Sequence, residues 1–175
     1  GDVYKRQGSY YIVSEKEAVI IDPLRETQQY IDKAKKDGVK IKYVFETHFH
    51  ADFVSGHIDL ARNTGAEIIF GPNAQTGYPV HNAKDSEIFN VGKIKIKAIH
   101  TPGHTPESTC YLLSDENGKN KAIFTGDTLF IGDVGRPDLA TSSNVTTEDL
   151  AGILFDSLRN CLLYTSDAAD EGLGV

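Results

Sequence analysis

The chain has 175 residues, 18 of them basic and 25 acidic, giving a net charge of −7 with neutral histidines. That balance leaves no basic footprint for nucleic acid, and no apolar run approaches the roughly 18 residues that a membrane span needs. The length suits one domain, or most of one.

In chain order, Tyr10–Val13 and Ala18–Ile21 are β-branched or aromatic runs around the polar SEKE, which predicts a hairpin. Glu26–Asp37 predicts an exposed helix with Thr27, Tyr30, Ile31 and Ala34 on one face and Gly38 as its stop. Tyr43–Phe45 predicts a buried strand, Ile58–Asn63 a short helix closed by Gly65, and Glu67–Phe70 another strand. Gly71 to Asp85 is rich in Gly, Pro and Asn and reads as a loop. The alternation of GKIKIKAI over residues 92–99 predicts a strand with one wet face. Thr109–Leu113 and Lys121–Phe124 predict two further strands joined by a turn. Thr146–Asn160 predicts a helix capped by Thr146 with Asp149, its apolar stripe being Leu150, Ile153, Leu154 and Leu158. Strands with interspersed helices indicate an α/β layered domain.

The two ends read differently from the rest. Asp2–Gln7 can be encoded by a DNA string whose complement, one frame over, encodes Cys161–Thr165 and the start of Ser166. The ends resemble translated sequencing adapter in opposite orientations, so residues 1–7 and 161–175 are expected to be non-native and 8–160 to be the domain, in part. On that reading Cys110 is the single native cysteine. It lies in the apolar run STCYLL, which predicts a buried core thiol, and a lone cysteine fits a reducing, cytoplasmic location.

Three polar strings share one placement, each following an apolar strand: THFHADFVSGH (47–57), HTPGHTP (100–106) and TGDTLF (125–130). Side chains at strand ends are held by rigid backbone yet stay accessible. Five of the six histidines fall in the first two strings. His81, outside them, is expected to be simply exposed, and His100 to do no more than end its strand.

Together the three strings resemble the metallo-β-lactamase superfamily. The resemblance implies a four-layer αββα sandwich, here cut short at its C-terminal end, with a metal site at one edge between the sheets. It is similar to the glutathione-linked branch of glyoxalase II hydrolases and persulfide dioxygenases, and DFVSGH and GDVGRPDL resemble most the persulfide dioxygenases often fused to rhodanese domains. By resemblance the metal ligands are His48, His104 and Asp127. His50, Asp52 and His57 are then outer-layer or second-metal residues, and Arg136 pairs with a substrate carboxylate or with Asp138.

The sequence departs from the two-metal hydrolases at Phe53, where they carry a ligand histidine. Phenylalanine offers no lone pair; His57, four residues on, is the alternative donor. Two histidines and one carboxylate with open positions is the arrangement of non-haem Fe(II) oxygenases, whereas structural zinc is closed by four ligands. The resemblance thus implies one Fe(II) per chain, O₂ oxidation of glutathione persulfide to glutathione and sulfite, no membrane or nucleic-acid partner, and a rhodanese domain fused in the parent protein. The alternatives are a zinc-dependent hydrolase of hydroxyacylglutathione thioesters, and a fragment that cannot hold metal.

Overall fold

The computed structural model describes residues 8–140 and 145–169, the stretch 162–169 by backbone alone. Strands β1 (Tyr10–Ser14) and β2 (Glu17–Ile21) form the expected antiparallel hairpin. Helix α1 (Gln28–Asp37) leads into β3 (Lys40–Phe45), and α2 (His57–Thr64) into β4 (Glu67–Phe70). Both helices stop at a glycine in the left-handed region, Gly38 and Gly65, where a side chain would be strained. β2, β3 and β4 pair in parallel, and a two-residue strand β5 (His81–Asn82) extends the sheet beyond β4.

The second sheet is antiparallel: β6 (Ile88–Val91), β7 (Ile94–His100), β8 (Thr109–Ser114) and β9 (Asn120–Phe124). A 3-10 turn over Gly126–Thr128 and a small pair, β10 (Leu129–Phe130) with β11 (Asp133–Val134), follow. Helix α3 spans Thr147–Ala169.

Period-two alternation explains the layering. On β2, Val19 and Ile21 face the space between the sheets, while Ala18 and Ile20 face α1 and α2. Phe45, fully buried on β3, sits at the centre of the inter-sheet core with its ring 5.3 Å from Phe89 and 4.7 Å from Tyr111. On β8, Tyr111 points into that core, whereas Cys110 and Leu112 face the other way and pack with Cys161 of α3. The order is therefore helix, sheet, sheet, helix: the expected αββα sandwich.

Three local expectations need correction, and one strand was not foreseen. The strand foreseen over 92–99 is present as β7 from Ile94 onward; its unforeseen hairpin partner is β6, Val91 pairing with Ile94 and leaving Gly92 and Lys93 as a two-residue turn with Gly92 at φ 53°. β6 buries Phe89 and Val91 and exposes Ile88 and Asn90. The loop foreseen over 71–85 contains β5, because Ile69 and Phe70 present a free strand edge for His81 and Asn82 to pair with. His81 is half-buried rather than exposed, with Nε2 2.8 Å from Glu87 and Nδ1 3.3 Å from Glu67. On α3, Ile153 is 40% exposed, and the buried stripe is Leu150, Leu154, Ser157 and Cys161.

The capping box at α3 is present. The Asp149 side chain accepts from the Thr146 N–H and hydroxyl at 3.0 and 2.9 Å, and the Asp149 N–H donates back to Thr146 Oγ1 at 3.2 Å. α3 crosses residue 160 without a break. The Cys110 thiol is buried as expected, with its sulfur 3.2 Å from that of Cys161. Among the described residues no helix is long and apolar enough to cross a membrane.

Candidate metal centre

Every element of the site begins where a core strand ends. β2 runs into Asp22 and β3 into Glu46, Thr47 and His48, all four of them buried. β7 ends at His100, as expected, and the following loop carries His104; the 3-10 turn after β9 carries Asp127.

Hydrogen bonds fix how the ligand-type side chains are presented. The Asp22 carboxylate can only accept, and it takes the Thr47 N–H and the Thr47 hydroxyl, each at 2.8 Å. With its proton thus committed, Thr47 Oγ1 accepts from His48 Nδ1 at 3.0 Å. His48 therefore carries its proton on Nδ1 and leaves the Nε2 lone pair free. His104 is set the same way: its Nδ1–H donates to the Arg136 carbonyl at 3.0 Å. The two Nε2 atoms face one carboxylate oxygen, Asp127 Oδ2, at 3.9 Å (His48) and 3.6 Å (His104). Single donor atoms from the three residues all lie within 4.8 Å of one another. This donor set fits one transition-metal ion, with tautomers fixed by outer partners as metal-binding histidines require. Burial, then the neighbouring His50 and His104, pushes the His48 pKa down to about 2, so the ring stays neutral.

The other predicted residues fall outside this trio. His50 packs against His48, ring centroids 4.2 Å apart, and its Nε2 lies 3.1 Å from Asp22 and 3.4 Å from Glu46. Its Nδ1 is buried without a hydrogen-bond partner. Phe53 lies against the His50 ring at 4.3 Å. His57 opens α2 and turns to the Tyr78 hydroxyl at 2.7 Å, with Nδ1 3.6 Å from Glu46. His50, Asp22 and Glu46 form a second group of three ligand-type side chains with donor atoms within 4.8 Å of one another; Asp52 is exposed and belongs to neither group found among the described residues. The Arg136 guanidinium forms a two-pronged pair with Asp138, at 3.0 and 2.6 Å.

The residues that sequence reasoning missed are those that hold the ligands. Asp22 ends the apolar run VII and precedes proline, a strand-end placement like that of the three strings, and that signal could have found it. Glu46 is wholly buried, and burial followed by the Asp22 charge holds its pKa well above the carboxylate range. Tyr111 spans the sheets to donate to the Glu46 carbonyl at 3.0 Å.

Two predictions follow from this packing. Gly126, at φ 49°, lies so close to Thr47 that an added Cβ would collide with the hydroxyl bridging Asp22 and His48. Gly126→Ala is expected to cost about 1–3 kcal/mol from the strained conformation alone, read as a lower melting temperature; an unchanged melt would contradict it.

The second is a pH dependence of the metal-free chain. Unfolded, His48 and His57 take up protons near the ordinary histidine pKa of about 6.5; folded, they stay neutral down to about pH 2 and about pH 4, chiefly through burial. Neither carries a penalty above the unfolded value, and both acquire one as pH falls below it. Glu46 works in the opposite direction, since its raised pKa favours the folded state on acidification, but it is one group against two. The urea midpoint should be lower at pH 5 than at pH 7. An equal or higher midpoint at pH 5 would contradict neutral buried histidines.

The family model for the metallo-β-lactamase superfamily matches residues 3–75. The chain is 36% identical over 141 residues to a hydroxyacylglutathione hydrolase of Dictyostelium discoideum, covering 77% of this chain and 52% of that protein. Among solved structures, a metallo-β-lactamase from Staphylococcus aureus subsp. aureus COL superposes with TM-score 0.79 at 41% identity, over 89% of this chain and 48% of that one. ETHE1 from Myxococcus xanthus superposes with TM-score 0.74 at 29% identity, over 90% of this chain and 65% of that one. The chain spans about half the length of the curated relatives it matches.

Proposed function

The chain belongs to the metallo-β-lactamase superfamily, and from that premise we propose that it is the catalytic part of a persulfide dioxygenase working with one Fe(II). The observation that carries this reading is the donor set itself: two histidines with Nε2 freed by their outer partners, and one carboxylate facing both. His48, His104 and Asp127 would hold the ion. A ferrous ion held by two histidines and a carboxylate supplies redox chemistry toward O₂.

The rest is the work of the chain's own groups. Asp22, through Thr47, and the Arg136 carbonyl hold the two imidazoles in their tautomers. Asp127 is the most exposed of the three, with 23% of its side chain accessible, so substrate approaches from its side. The Arg136 guanidinium, occupied by Asp138, supports a structural role for that pair over substrate binding. The balanced reaction consumes one persulfide, one O₂ and one water and yields one thiol and one sulfite. It is tested by mixing anaerobically Fe(II)-loaded chain with glutathione persulfide and O₂: O₂ loss matched by sulfite supports the reading, and neither being seen with iron bound contradicts it.

A second reading has its own support. Relatives at 36% identity are named hydroxyacylglutathione hydrolases, and the buried, unpartnered Nδ1 of His50 is a spare donor. In that case Zn(II) would supply an activated water for thioester cleavage. The glutathione moiety is common to both readings. The fused rhodanese domain and the assignment of 1–7 and 161–175 to adapter sequence remain proposals of the same kind.

A further inference from the structure

We infer that Glu107 is a positioning residue that holds the two histidine-bearing loops at a fixed separation. The inference rests on the reading of His48, His104 and Asp127 as metal ligands, and it adds a residue outside the strings that suggested them.

Glu107 is only 4% exposed, and no lysine or arginine pairs with it among the described residues. A buried carboxylate without a cation is costly unless hydrogen bonds compensate it, so its placement requires specific donors. A single oxygen, Oε1, accepts both: the Phe49 N–H at 2.8 Å and the Thr105 hydroxyl at 2.8 Å. Phe49 lies between His48 and His50, and Thr105 adjoins His104. One atom thus ties together loops separated by 58 positions in sequence.

The neighbouring contacts brace the same joint. The Thr109 N–H donates to the Thr47 carbonyl at 2.9 Å, and the Thr109 hydroxyl donates to the Glu107 carbonyl at 3.0 Å. Ser108 Oγ accepts the Thr105 N–H at 3.1 Å and lies 2.7 Å from the Thr105 hydroxyl, fixing the donor that Glu107 uses. Without the Glu107 oxygen, the Phe49 N–H and the Thr105 hydroxyl lose a shared anchor, and the His48–His104 spacing that a metal reads is no longer pinned.

The test measures metal affinity and the visible spectrum of Co(II) titrated into the 175-residue chain, with folding checked by circular dichroism. Glu107→Ala is expected to weaken Co(II) binding by about 10-fold, the low end of the range for a direct hydrogen-bond partner of a ligand because Glu107 acts through the residues beside the ligands, and to shift the Co(II) absorption bands. Glu107→Gln keeps an acceptor oxygen at the same reach, so its affinity and bands should stay close to the parent's. Thr105→Val, which removes one donor, should shift the bands in the same direction by less, and it carries the test should Glu107→Ala fail to fold. Parent-like affinity and spectrum in Glu107→Ala, or in Thr105→Val where the alanine variant does not fold, would overturn the assignment. So would a Glu107→Gln loss as large as that of alanine, which would make charge rather than the spanning hydrogen bonds responsible. A parent chain that binds no Co(II) would overturn the metal reading itself and this assignment with it, so the two failures are distinguishable.

Discussion

Alanine in place of His48, His104 or Asp127 is expected to strip the chain of its metal, while alanine in place of His81 leaves loading unchanged. The parent should hold about one equivalent of iron, as a two-histidine, one-carboxylate site does. Each of the three supplies one donor atom to a cluster no wider than 4.8 Å, so losing any one should exceed the roughly 10- to 100-fold affinity loss typical of outer partners. His81 is a strict control: it is a half-buried histidine with carboxylates at both ring nitrogens, yet it sits on β5 and belongs to neither ligand-type group found among the described residues. The check is metal content of each purified variant by mass spectrometry beside its circular dichroism. Two equivalents of zinc in the parent, purified with iron available, would contradict the mononuclear site, as would an Asp127→Ala variant that retained full iron.

The cluster of His48, His104 and Asp127 was legible because each sits in a polar string that follows an apolar strand, and the structure brings one donor atom from each to within 4.8 Å of the others. The strands were legible in runs such as VII on β2 and TCYLL on β8, but their stacking as two facing sheets between helices came only from the resemblance of the three strings, because periodicity alone reaches no further than an α/β layered domain. What orients the ligands was not legible. The Arg136 carbonyl that sets His104 is a backbone atom, and no side-chain pattern announces it. Asp22 reaches Thr47 across 25 positions, a contact created only when β2 and β3 pair in parallel. His57 had the right chemistry for a replacement ligand, but the start of α2 turns its ring to Tyr78 and Glu46. β6 escaped because four residues shared with a tight turn carry too little periodicity to separate from the strand that follows.

The reaction gives the other large effect. With Fe(II) bound, the chain is expected to consume O₂ in the presence of glutathione persulfide and to cleave a hydroxyacylglutathione thioester slowly. The position at which the resemblance puts a second-site histidine is Phe53, packed on the His50 ring, and it offers no lone pair to a second ion that would help position an attacking hydroxide. Asp127→Asn should abolish the oxidation, since a neutral amide replaces the charged donor facing both imidazoles. Phe53→His alone should not create a fast hydrolase, because Asp52 is exposed and His57 lies on α2 with its Nε2 engaged by the Tyr78 hydroxyl. The most direct measurement is O₂ uptake with glutathione persulfide beside thioester cleavage, on one preparation whose metal has been quantified. Rapid O₂ uptake with slow thioester cleavage at about one iron per chain is the predicted result; rapid thioester cleavage without O₂ uptake would contradict it and establish the hydrolase in its place.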